Sequence, residues 1–490
     1  MTVSHHGNIL VPLVMFGWIP VVLLLFSRME PKKAAAVAFA AGWMFLPVVA
    51  YRFKGLPDYT KMTATCVGIL LAAWIYDRQA LLNFRLKAVD LPMVLWCTCP
   101  FFSSVANGIQ GLGVYDGLSE TMYQSITWGL PYFIARVYFS DREGLAVLAK
   151  AVFIGGLVYI PFCLFELKMS PQLHRLTYGY HQHDFLQTIR GDGFRPMVYM
   201  EHGLMTAMWM VSASFIGIWL AHAKALPARI LSIPSPALIV PLLATTLLLK
   251  SAGALVLLLL GLSFLYLSNK TKNALLIWVL LLVPPSYMVL RTTGIWSGEN
   301  LSGMVAEKFN AERGQSLQFR FDNETILIDK ALEGTFFGWG GWNRSRVYDD
   351  EGRDISITDG LWIITLGTRG IYGLTLLLLT VQLPMLLLLY RAPPGRWHTR
   401  TYAPAAVLAV ILCVYMVDNL LNAMVNPVFM LFNGGLCGFL SQAPQHKGIT
   451  SEMAAATTDL PARTGTRFIT VMPAISPRYI GGSRPSRRNA

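Results

Sequence analysis

Apolar windows of about twenty residues, each long enough to cross a bilayer as helix, recur along nearly the whole chain. They fall near 9–26, 34–51, 62–77, 91–106, 121–139, 145–165, 203–222, 236–249, 253–268, 274–290, 370–390, 403–418 and 425–441. The third, fourth, eighth and ninth are short, so the expected count is twelve or thirteen spans. Only 14% of the 490 residues are charged, against roughly 25% in a soluble globule. The period-2 alternation of an outer-membrane barrel is absent. The expected fold class is therefore an all-α polytopic integral membrane protein.

The net charge of +13 raises the question of nucleic acid, but its placement answers it. Basic residues sit in short connections between apolar runs and in the C-terminal stretch, which is an orientation signal and not a groove-binding patch. One set of connections holds Arg28, Lys32, Lys33, Arg78, Arg85, Lys87, Arg142, Lys224, Arg229, Lys270, Lys272, Arg391, Arg396 and Arg400. The opposite set holds only Arg52, Lys54, Lys61 and Lys250. The first set is expected in the cytoplasm, with the long loops 166–202 and 291–369 outside. Residues 1–441 then form the membrane domain, and 442–490, rich in Ala, Thr, Pro, Arg and Ser, read as a disordered basic cytoplasmic tail. All six cysteines lie in or beside apolar segments and are expected to be packed thiols. The first apolar run has no basic stretch before it and no clear small-residue cleavage site, so it reads as a retained helix.

The two long loops carry the candidate chemistry. In the first, IRGDGFRPMVYMEHGL places Arg190, Arg195, Glu201 and His202 at the threshold of an apolar run. Arginine offers a planar fork matched to phosphate oxygens, although interfacial snorkelling would place it there too. Glu201 reads either as a helix-capping carboxylate or as a catalytic one. Lys250, in LLLKSAGALVL, is a candidate counter-charge for an anionic headgroup. The second loop holds Arg320 and Glu324 in RFDNETIL, Trp339, Trp342 and Arg344 in FFGWGGWNRSR, and Asp359 in TDGLWIITLGTRGIYG. Flat rings interleaved with glycine suit sugar faces, and an interfacial aromatic belt would look the same. His181 and His183 are too scattered from other ligands for a zinc site, and Asp349 and Asp350 lack a DxD spacing, so neither metal nor cofactor is expected. Asn323-Glu-Thr and Asn343-Arg-Ser match the glycosylation sequon, a match frequent by chance.

The order of these pieces, from WGLPYFIARVYF through the first loop, LLLKSAGAL, RFDNETIL, FFGWGGWNRSR and TDGLWIITLGTRGIYG, resembles the bacterial O-antigen ligase and O-antigen/exopolysaccharide polymerase superfamily over about residues 110–440. The resemblance implies an inner-membrane glycosyltransferase acting on the periplasmic side. The donor would be a glycan on a polyprenyl pyrophosphate, transferred with inversion and without metal to an acceptor hydroxyl. It implies pyrophosphate-binding roles for Arg190, Arg195, Arg320 and Arg344. From the residues themselves, Glu201, Glu324 or Asp359 would assist the acceptor. His202, Lys250, Trp339 and Trp342 would line the substrate site. Where ligases resemble a histidine, seven residues and paired glycines, this chain has Asp359, seven residues and Gly367-Thr368, which tilts the expectation towards a polymerase. A transporter or flippase for the same lipid is the alternative of another class. It would need midplane charges and broken helices in corresponding halves, whereas most spans carry no midplane charge. Expected partners are the lipid-linked oligosaccharide, the glycan acceptor, the bilayer and other membrane proteins of polysaccharide assembly.

Overall fold

The computed structural model describes residues 2–4, 7–230, 232–308, 310–341 and 343–442. The tail expected to be disordered, and Trp342, lie outside the described residues. Residues 1–442 form one compact unit, built almost wholly of helix.

In chain order come α1 (Leu10–Arg28), α2 (Pro31–Phe45), α3 (Lys61–Tyr76), α4 (Leu91–Ala106) and α5 (Val114–Gln124). A π-helical turn, Ser125–Gly129, joins α5 to α6 (Leu130–Tyr138), and α7 (Arg142–Met169) follows. Beyond the first long loop lie α8 (Gly203–His222), α9 (Ser235–Leu248), α10 (Ala252–Thr271) and α11 (Leu275–Thr292). The second long loop is itself largely helical: α12 (Glu299–Lys308) and α13 (Ala311–Glu333) precede α14 (Leu361–Arg391). The membrane domain closes with α15 (Ala403–Leu421) and α16 (Pro427–Leu440).

Every one of the thirteen apolar windows is occupied by helix, but the helices differ in reach. Eight are long and apolar enough to cross a membrane, and α3, α9 and α16 are shorter apolar helices. The fold is thus an all-α polytopic membrane protein. Helices α8, α15 and α16 are almost wholly buried, whereas α1, α10 and α11 turn leucines such as Leu13, Leu259 and Leu282 outward. Small residues explain the buried set, because helices in lipid approach most closely where side chains are minimal. A Cβ added at Gly434 of α16 would overlap the Tyr132 carbonyl of α6, and one at Gly438 would overlap Ser140.

Two buried ion pairs fasten the ends. Asp90, before α4, accepts from Arg136 Nε at 2.6 Å and from the Tyr132 hydroxyl at 2.6 Å. Arg291 at the end of α11 reaches Glu324 of α13 at 3.1 Å, docking the second loop onto the bundle. A third anchor is unpaired in charge: Glu166 of α7 accepts from the backbone N–H groups of Leu173, Met197 and Val198 at 3.0, 2.8 and 2.7 Å. That carboxylate folds the first loop back so that Arg195 and His202 are delivered to the mouth of α8.

Candidate functional site

Arg190 rides on a two-strand hairpin, β1 (Ile189–Arg190) against β2 (Gly193–Phe194). Gly191 takes a left-handed turn there, at φ +56°, a region glycine enters without steric penalty. Lys250, in the turn between α9 and α10, closes over the hairpin. Its Nζ donates to Asp192 Oδ1 at 2.8 Å and to the Arg190 carbonyl at 3.3 Å. A Cβ at position 193 would stand 2.5 Å from that Nζ, so a side chain there would displace the lysine tip.

Arg195 lies beneath, only 9% exposed. Its Nη2 donates to the Lys250 carbonyl at 3.3 Å, while its Nε is buried with no partner. Arg320, from the second loop, pairs with Asp359 through Nε at 3.2 Å and donates to the Leu421 carbonyl at the end of α15, also at 3.2 Å. The two loops meet electrostatically. Burial first, and then the charges of Arg190 and Arg320, push the Arg195 guanidinium down to about 10.

His202 sits at the same point, 8% exposed, and caps α8 by accepting from the Leu204 N–H through Nδ1 at 3.1 Å. An imidazole that accepts at Nδ1 carries its proton on Nε2 when neutral, so this histidine presents a donor. Burial, then His183, Arg195, Arg190 and Arg320, lower it to about 4. The linkage has a definite sign. A neutral buried histidine contributes stability that is complete above the unfolded value near 6.5 and is lost as pH falls through 4. Thermal unfolding of the purified protein should therefore weaken between pH 6.5 and 4, by on the order of 3 kcal/mol from this group. His202→Asn, which retains a capping side chain, should remove that part of the slope; an unchanged slope would refute the assignment.

The carboxylates fall into three situations. Glu324 is a structural one: Oε2 accepts from Tyr287 and Arg291, Oε1 from Trp362 Nε1 at 3.2 Å. Burial raises its pKa and those donors counter the rise only in part; the three contacts tie the carboxylate to α11 and α14. Asp359 is engaged with Arg320 and orients it. Glu201 stays partly exposed beside His202, and its charge faces Lys61 at the start of α3. Lys61 itself is 3% exposed, donates to the Tyr199 carbonyl at 3.3 Å and lies 4.3 Å from the Trp43 ring centroid.

Trp339 and Arg344 make contacts within the second loop. Trp339 donates through its indole N–H to the Lys330 carbonyl at 2.7 Å, and one ring face is covered by Lys330 Nζ at 3.9 Å. That face is closed to a sugar. Arg344 donates to the Trp339 carbonyl at 3.1 Å. Asn323 of the first sequon is buried and bonded to Phe319 and Ile357, which leaves no room for a glycan. Among the described residues, no group of three or more His, Cys, Asp or Glu is placed to hold a metal ion. His174 is instead packed among Tyr178, Tyr180 and Tyr199.

Two further residues were not among the expected site residues. Asp418 of α15 is 8% exposed, accepts from Asn422 through Oδ1 at 2.9 Å, and keeps Oδ2 buried without a partner within reach of the Arg320 charge. Lys61 read as a loop charge, yet it is buried under the first loop. A carboxylate inside an apolar run was the available signal for the first; nothing local marks the second. Compared with known protein families and with curated proteins, the chain matches none.

Proposed function

We propose that the protein is a membrane glycosyltransferase that moves a glycan from a polyprenyl pyrophosphate to an acceptor hydroxyl at the outer face of the cytoplasmic membrane, most naturally as a polymerase of repeat units. One observation carries this reading: Arg195 is buried within range of the charges of Arg190 and Arg320, with its Nε unsatisfied. Concentrated, desolvated positive charge is unfavourable unless an anion completes it, and a diphosphate at the bilayer lip supplies that anion. Arg190, Arg195, Arg320 and Lys250 belong to the donor side of the reaction. As the acceptor oxygen bonds to the anomeric carbon, the bond from that carbon to the diphosphate oxygen breaks. The guanidinium groups and the His202 Nε2–H stabilise the charge that develops on the leaving group. Glu201, the one candidate carboxylate outside a fixed ion pair or hydrogen-bond network, takes the acceptor proton. Asp359 and Asp418 hold Arg320 in register.

The test is reconstitution. The purified protein in proteoliposomes, given polyprenyl-pyrophosphate-linked repeat units alone, is expected to lengthen them. Lengthening that needs a lipid A-type acceptor identifies a ligase. Movement of the intact lipid across the bilayer with no new glycosidic bond overturns the transferase reading in favour of a flippase.

A further inference from the structure

Arg369 lies in the first part of α14, an otherwise apolar helix. An ionisable side chain at such a place marks a functional site by default. It is 8% exposed. Its Nη2 donates to Glu120 Oε2 of α5 at 3.2 Å, and its Nη1 is buried with no partner. Glu120 is far more open, at 43%. The pair is thus half satisfied: one edge of the guanidinium is buried without a partner, beside a carboxylate that is far more open.

The backbone around this pair is built to hold it still. Gly370, the next residue, breaks α14 at φ +64° and ψ −165°. The glycine-rich stretch 334–340 binds the break through Trp339 N–H to the Gly367 carbonyl at 2.8 Å and Gly340 N–H to the Thr368 carbonyl at 3.1 Å. On the far side, the Ser103 hydroxyl of α4 lies 2.6 Å from the Phe337 carbonyl and 2.7 Å from that of Thr368. Asn107 donates to the Gly338 carbonyl at 2.8 Å. The charges of Glu201, Glu120 and Asp58 all act on the Tyr123 phenol, one turn along α5 from Glu120. A π-helical turn begins just beyond, at Ser125, a device frequent at functional sites.

We propose that Arg369 and Glu120 form a subsite for an acidic sugar, with the sugar carboxylate on Arg369 Nη1 and a neighbouring hydroxyl donating to Glu120. The chemistry selects this class. A neutral sugar offers the buried Nη1 only an uncharged hydroxyl acceptor, a weaker partner than the charge-assisted bond a carboxylate makes. Glu120, 3.2 Å from the same guanidinium, repels a doubly charged phosphate about twice as strongly as a singly charged carboxylate. A uronic acid carries one negative charge and adjacent hydroxyls, which matches a cation beside an acceptor carboxylate. Placing this sugar on the acceptor strand rests on the transfer reading above; the existence of the subsite does not.

The experiment uses the full chain in lipid nanodiscs and thermal unfolding with four probes: glucuronate, glucose, inorganic phosphate and pyrophosphate. Glucuronate is expected to raise Tm where equal glucose does not, and Arg369→Gln is expected to abolish that shift. Glu120→Gln removes the competing charge and should lower the glucuronate Kd about fivefold, a change that a merely structural ion pair would not produce and that stays readable if Arg369→Gln does not fold. Pyrophosphate should protect Arg369→Gln but not Arg195→Ala. A glucuronate shift that survives Arg369→Gln, or a phosphate shift as large and lost with Arg369, overturns the acidic-sugar subsite. No pyrophosphate shift in the unaltered protein, with the glucuronate shift intact, sinks the donor-site reading alone.

Discussion

Replacing Arg195 with alanine is expected to reduce glycan transfer by about 10²–10³-fold, the usual loss when one preorganised donor to a developing charge is removed. Arg195→Lys should recover only part of it, because an ammonium cannot reproduce the planar fork. The effect on stability runs the other way. Arg195 is buried among cations and its guanidinium is pushed down to about 10, so at every lower pH the fold holds it charged at a penalty. The shift from 12.5 corresponds to on the order of 3 kcal/mol. Arg195→Met keeps the stem that packs on Gly203 and discards the charge. It is expected to raise Tm by a few degrees while transfer is lost. Enzymes commonly hold active-site charge at the expense of stability. Transfer measured at equal membrane abundance, beside thermal unfolding of the purified variants, checks both halves. A destabilised Arg195→Met with normal transfer would make Arg195 a structural residue.

The fold was legible because bilayer spans are written in a single variable, hydropathy, over long windows. Each expected window holds helix, and the errors lie where that variable is silent. The second loop read as aromatic loop structure, yet Ala311–Glu333 is one long helix capped by the Asn310 side chain. Its buried face, Gly314, Phe321, Glu324, Ile328 and Ala331, has helical spacing but mixes a carboxylate and a glycine with its apolar residues, which blunts the periodicity. The span expected from about 370 begins at the Gly370 break inside α14, whereas the helical turns before it, from Leu361, were not expected. The earlier turns are buried against protein and not lipid, and so tolerate Thr365, Thr368 and Arg369.

The site was legible in part for a comparable reason. Arg190, Arg195 and His202 stand within thirteen residues of one another, so a local pattern could flag them. Arg320, Asp359 and Asp418 are joined only through tertiary contacts, as are Lys61 with Tyr199 and Arg369 with Glu120. No sequence spacing encodes those pairs. Trp339 packs under Lys330, while the adjoining glycines bind the α14 break.

That break sets the largest stability effect expected in the chain. Gly370→Ala should leave little folded protein in the membrane. At φ +64° and ψ −165° the backbone is in territory open essentially to glycine alone. An added Cβ would overlap the Phe336 carbonyl and approach Gly338 N to 2.6 Å. Relief requires moving strand 334–340, which breaks Ile371 N–H to Thr335 at 2.9 Å and Tyr372 N–H to Phe336 at 3.1 Å. Strain of about 1–3 kcal/mol and two buried backbone bonds at roughly 1 kcal/mol or more each bring the expected loss to about 4 kcal/mol. Gly352→Ala is the control. It also has positive φ, +76°, but nothing lies within 4 Å of its Cβ, so only the conformational penalty of about 1 kcal/mol applies. Membrane abundance and thermal unfolding of the two variants separate backbone strain from steric collision. If Gly370→Ala is no less stable than Gly352→Ala, the glycine-rich strand does not hold the break, and the rigid presentation of Arg369 loses its physical basis.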